Sequence, residues 1–180
     1  KDRSVIQGKK FYAYDAQTGE VIWEAETTGW MYSSAAVSAL DGALYIGSAD
    51  SSREGTGFGG KGKAGRFYAF RPNGTEKWHV DSDSEFGPSP ALWYDDDKNE
   101  FIVARTQRGR VFLFRNDGSV VWERNFDAEG FGSPVISRGN DSVIMLFNSG
   151  SAEAANKMIA MDIKTGETTW SVAVPKSGEL

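Results

Sequence analysis

One motif occurs four times along this chain, and any fold assigned to it must accommodate four equivalent units. FYAYDAQTGEVIWEAE (residues 11–26) returns as RFYAFRPNGTEKWHV (66–80), RVFLFRNDGSVVWER (110–124) and KMIAMDIKTGETTWSV (157–172). Each copy holds an apolar run, a turn ending in glycine (Gly19, Gly74, Gly118, Gly166) and a second run with one tryptophan (Trp23, Trp78, Trp122, Trp170). Asp15 and Asp162 open two of these turns, where a carboxylate can accept backbone N–H groups across the bend, and the glycine supplies the positive φ a tight hairpin needs. The tryptophans lie 55, 44 and 48 residues apart. A chain of 180 residues therefore holds about four units of a repeat of roughly 40–50 residues.

Composition narrows the class. Apolar residues make up 39% and aromatics 13%, spread evenly, and the 21 glycines come without long amphipathic runs, which indicates an all-β fold with buried rings. A net charge of -5 and a pI near 5.0 argue against a nucleic-acid partner, because phosphate binding needs clustered Lys and Arg. The absence of cysteine excludes disulfides and thiolate metal sites and leaves the compartment open. No apolar run approaches the roughly 18 residues of a membrane helix. The opening KDRSVIQG lacks a signal-peptide core, which says little in a chain that begins in mid-repeat.

Between the hairpins the units share a second grammar. SVIQG (4–8), ALYIGS (43–48), EFIVAR (100–105) and SVIMLF (142–147) align as second strands. They follow the first-strand runs SSAAVSAL (33–40), GPSPALWY (87–94) and GSPVIS (132–137), the first of them through a two-residue hairpin signal at Asp41-Gly42. Four strands per unit, repeated at this spacing, describe β-propeller blades. The units run over residues 1–26 (lacking a first strand), 27–80, 81–124 and 125–174, with a tail at 175–180, or about 3.75 blades. Because strands alternate in direction, the longer links at 27–32, 49–65, 81–86, 127–130 and 148–156 share one face, where binding surfaces tend to develop.

These motifs resemble the pyrroloquinoline-quinone-like (PQQ-like) propeller repeat. Its Ser-Pro-Ala/Val element is met at Ser89-Pro90-Ala91 and Ser133-Pro134-Val135, its Gly-x-x-Tyr-Val-Gly element at residues 42–47, and its Tyr-Ala-x-Asp-x-x-Thr-Gly-x-x-x-Trp element at 12–23 and 160–170. The resemblance implies that Trp23, Trp78, Trp122 and Trp170 dock between adjacent blades, and that six to eight blades close a ring. The remaining blades would come from a longer polypeptide, which is the expectation, from a second copy, or from closure as a four-bladed ring. The family includes quinone-dependent dehydrogenases, outer-membrane assembly lipoproteins of the BamB type and sensor ectodomains, so the resemblance fixes fold more firmly than function.

Several residues invite chemistry. The dehydrogenases of the family hold PQQ between a pair of adjacent cysteines and a Trp, bind Ca²⁺ through Glu, Asn and Asp, and use an Asp base. This chain has no cysteine, and Asp15 and Asp162 sit at turn positions, so no catalytic or cofactor-binding residue is assigned. Asp95, Asp97 and Asn99 in DDDKNE (95–100) could offer Ca²⁺ hard oxygen ligands, although the loop lacks the Gly of a calcium loop. Phe86-Gly87 and Phe131-Gly132 faintly resemble FG-GAP propeller repeats. His79, the one histidine, should point to solvent opposite Trp78. Trp30, Tyr32 and Phe58, with Arg53, Lys61 and Lys63 of the Gly-rich insertion 51–66, are candidates for partner binding on the long-link face. Phe86 and Phe131 belong to the same aromatic set. Asn73 and Asn140 head glycosylation sequons. The expectation is a non-catalytic binding or scaffolding segment of an extracytoplasmic propeller that recognises a protein or glycan. A fragment of a PQQ- and Ca²⁺-dependent dehydrogenase and a calcium-stabilised adhesion propeller are the alternatives.

Overall fold

The computed structural model describes residues 9–49, 64–137, 139, 141–147 and 156–174. Fourteen strands are described, in four antiparallel sheets. The first pairs β1 (Lys10–Tyr14) with β2 (Val21–Glu26). The second runs β3 (Ala36–Val37), β4 (Leu44–Ala49), β5 (Gly65–Phe70), β6 (Glu76–Ser82). The third runs β7 (Ala91–Tyr94), β8 (Glu100–Arg105), β9 (Arg110–Arg115), β10 (Val120–Asn125), and the fourth β11 (Val135–Ser137), β12 (Ser142–Phe147), β13 (Lys157–Asp162), β14 (Thr168–Ala173). Each full sheet is a simple meander, which is the topology of a propeller blade.

The first strands are shorter than their apolar runs. Pro88, Pro90 and Pro134 lack the N–H a ladder needs, so β7 starts at Ala91 and β11 at Val135. In the second blade the expected eight-residue strand shrinks to β3, because Ser38 Oγ accepts the N–H groups of Leu40 and Asp41 and turns the chain early. The expected two-residue hairpin at Asp41-Gly42 is consequently a four-residue loop, closed by Ser38 N–H to the Ala43 carbonyl at 2.7 Å.

The core lies between sheets. Tyr45, Phe67 and Phe86 meet Ile102, Phe112 and Phe114 across the junction of blades two and three. Trp93, Val103 and Trp122 meet Val143, Ile159 and Met161 across the next junction. The serines that open the first strands add a polar relay: Ser34 N–H donates to Ser89 Oγ (3.0 Å) and Ser89 N–H to Ser133 Oγ (3.1 Å). Pro after Ser89 and Ser133 holds the backbone extended, so each hydroxyl reaches the preceding blade.

Candidate functional site

The recurrent tryptophan makes one joint three times. Trp23 Nε1–H donates to the Pro72 carbonyl, Trp78 to that of Asn116 and Trp122 to that of Ile163, each at 2.8 Å. Each ring lies flat on the turn glycine of the next blade: a Cβ on Gly74, Gly118 or Gly166 would come within 2.6, 2.8 and 2.7 Å of the indole. Glycine is needed there twice over, for that approach and for a φ of 69–90°. Trp170 departs from the pattern. It stands on β14 with 44% of its surface exposed, against 7% for Trp122, and no described turn receives it.

The turns come in two forms. At residues 15–19 and 162–166 the opening aspartate accepts two backbone N–H groups (Gln17 and Thr18 on Asp15; Lys164 and Thr165 on Asp162) at 2.8–2.9 Å. Those N–H groups hold both carboxyls below the usual aspartate range. At residues 71–74 and 115–118 the cap shifts to the residue before glycine, with Asn73 on Thr75 and Asp117 on Ser119. Asn73 is exposed, and Asn140 lies outside the described residues.

A cleft of about 600 Å³ opens between blades two and three on the short-turn face, lined in part by Leu40, Lys98, Glu100, Arg115 and Asn116. Glu100, which closes the acidic DDDKNE run and opens EFIVAR, is only 3% exposed. Its carboxylate accepts from Tyr45 (2.8 Å), Tyr94 (2.6 Å) and Asn116 (2.8 Å). Lys77 binds Asn116 and Asp41, which extends the network and lowers the Asp41 carboxyl. Burial foremost, and then the bond to Glu100, pushes the Tyr45 hydroxyl well up. The signal for Glu100 was available, since a carboxylate stands where the aligned strands carry Ala43 and Ser142. Neighbouring Asp95 is committed to its own turn, accepting from Asn99 N–H (2.8 Å) and Asn99 Nδ2 (2.9 Å). Among the described residues no group of three His, Cys, Asp or Glu is placed to hold a metal.

The long-link face is different in character. Arg105, at the end of β8, is fully buried. It donates through one nitrogen to the Leu146 (3.0 Å) and Gly132 (3.3 Å) carbonyls and stacks 4.3 Å from the Phe147 ring centre. Its Nε and second terminal nitrogen have no hydrogen-bond partner in the structure, and burial lowers its pKa to about 10. Nothing in the repeat pattern points to it, because the aligned position holds Ser48 in one blade and Phe147 in another. Trp30 and Tyr32 pack edge to face at 5.9 Å, and burial, then Glu85, raises the Tyr32 hydroxyl pKa. Ion pairs line the outer strands on this side: Arg66 with Asp81 at 2.6 Å, and Arg110 with Asp83 (2.8 Å) and Glu123 (2.6 Å). His79 is exposed and meets Glu76 at 2.7 Å. Phe86 is buried between blades, whereas Phe131 is half exposed. Arg53, Phe58, Lys61 and Lys63 lie outside the described residues.

With this geometry in hand, comparison with protein families is decisive for kinship. The model of the family described as outer membrane protein assembly factor BamB matches residues 63–179. This chain belongs to that family. Solved structures agree on the BamB-type fold. BamB from Moraxella catarrhalis is 17% identical with a TM-score of 0.65, over 94% of this chain and 45% of that one. A quinohemoprotein alcohol dehydrogenase from Pseudomonas putida is 15% identical with a TM-score of 0.64, over 90% and 31%. A europium-containing methanol dehydrogenase is 11% identical with a TM-score of 0.65, over 91% and 38%. This chain therefore spans less than half the length of each. Comparison with the curated proteins found no match.

Proposed function

We propose that this chain is a binding and scaffolding segment of an extracytoplasmic propeller that engages protein partners in outer-membrane-protein assembly through its long-link face. The observation that carries the reading is the Trp30–Tyr32 pair, an edge-to-face aromatic corner on that face, in a chain of the BamB family. Aromatic corners of this kind give large contact area at low entropic cost. The carboxylates that chemistry would need are engaged elsewhere: Asp15 and Asp162 cap turns, and Glu100 ties three blade residues together. The test is binding of a urea-unfolded outer-membrane β-barrel protein, diluted into buffer and followed by fluorescence anisotropy. Saturable binding that weakens roughly tenfold or more in Tyr32→Ala is expected. No binding, or binding indifferent to the substitution, contradicts the reading.

The structural likeness to two quinone-type dehydrogenases supports a second reading, a dehydrogenase segment. Incubation with PQQ, Ca²⁺ and a primary alcohol separates the two. Substrate-dependent dye reduction would favour the dehydrogenase.

A further inference from the structure

The cleft between the short turns of blades two and three, about 600 Å³ in volume, serves neither the tryptophan joints nor the long-link face. Three carboxylates border it, and each is held by neighbours of its own. Glu100 accepts from Tyr45, Tyr94 and Asn116, and Asp95 from the Asn99 N–H and side-chain amide. Asp117 Oδ1 accepts the Ser119 N–H (2.9 Å) and hydroxyl (2.6 Å). Those bonds chiefly, and then the nearby Arg115 charge, lower the Asp117 carboxyl. Two cations, Lys98 and Arg115, border the same space. Among the described residues neither side chain donates a hydrogen bond or forms an ion pair, and Asp117 Oδ2 and Asn99 Oδ1 accept no hydrogen bond. Spare donors and spare acceptors thus share one cleft.

Lys98 carries a second signal. Its φ is 63°. Lys98 N–H donates to the Asp95 carbonyl (2.9 Å) and Asp95 N–H to that of Asn99 (3.1 Å), which makes a three-residue hairpin loop whose left-handed position favours glycine. A lysine there strains the backbone, and no described partner of its ammonium offsets the strain. Strain kept in this way points to a use for the side chain outside the fold.

We propose that this cleft binds a neutral oligosaccharide of two or three sugar units. A hydroxyl both donates and accepts, so a polyol can satisfy Lys98 and Arg115 together with Asp117 Oδ2 and Asn99 Oδ1. An anionic ligand would meet three carboxylates, and a cationic one two unpaired cations. The volume falls in the range of small-ligand clefts, and Leu40 and Phe101 add apolar lining for the C–H face of a sugar ring. The cleft lies on the opposite face from Trp30 and Tyr32, so the proposal does not depend on the long-link reading.

Calorimetric titration of the 180-residue chain with cellotriose, maltotriose and triacetylchitotriose, beside trigalacturonate and trilysine, tests it. Saturable binding of at least one neutral trisaccharide is expected, with a Kd of about 1 mM or below. Lys98→Gly should weaken that binding roughly tenfold or more, yet leave the thermal midpoint equal or higher, because glycine suits a φ of 63°. Arg115→Ala, at an exposed position, should weaken it likewise with unchanged circular dichroism. Failure of all three neutral trisaccharides to bind below about 10 mM overturns the proposal. So does binding confined to trigalacturonate or trilysine, or neutral-sugar binding that survives both substitutions.

Discussion

At the scale of single residues, Arg105 and Glu100 are opposite solutions to a buried charge. Glu100 accepts three hydrogen bonds, and Glu100→Ala strands Tyr45, Tyr94 and Asn116. The expected loss is roughly 1–3 kcal/mol in urea unfolding. Arg105 has two bonds to carbonyls and one ring contact, together worth about 3–4 kcal/mol, against a desolvation cost of several kcal/mol for an unpaired ion. Arg105→Met is therefore expected to leave stability unchanged or raise it by about 1 kcal/mol; a loss of more than about 1 kcal/mol would contradict this balance. The pH dependence follows. Its pKa is about 10 in the fold and above 12 unfolded, so the unfolded chain holds more protons between those values. Arg105's contribution to stability consequently rises through that alkaline window, and the Met variant should lack that rise. Neither residue was legible as a site, because a sequence pattern reports which face a strand position occupies and not which neighbour arrives there.

At the scale of elements, the tryptophan–glycine joint sets the order of mutational cost. Gly166→Ala must overcome both a positive φ and an indole 2.7 Å from the new carbon, while Gly19→Ala meets only the φ. Gly19→Ala should cost about 1 kcal/mol and Gly166→Ala at least twice that. Equal costs, read from thermal unfolding, would argue against the joint. The capped turns and outer ion pairs add an acid limb. Asp81 and Asp83 are lowered chiefly by hydrogen bonds to Arg66 and Arg110, and Asp15 by backbone N–H groups. Depressed carboxyls contribute fully above their ordinary pKa of about 4 and lose that contribution as pH falls through the folded values. Unfolding midpoints should thus decline below about pH 4, and less steeply in Asp81→Asn. Hairpins and glycine turns were legible because they depend on local chemistry repeated four times. The first-strand lengths were not, since Pro and Ser side chains divert the backbone before the apolar run ends.

At the scale of the whole molecule, the repeat predicted an all-β propeller of PQQ-like blades, and the antiparallel sheets and family match agree. What repetition could not show is the asymmetry of the arc: three seated tryptophans and one exposed. The most direct test is water exchange of the indole N–H protons in ¹⁵N-labelled protein, assigned by single Trp→Phe variants. Trp23, Trp78 and Trp122, each bonded to a carbonyl of the next blade, are expected to exchange slowly and Trp170 fast. Fast exchange at Trp122, or a Trp170 as protected as the other three, would contradict the joint on which this account of the fold rests.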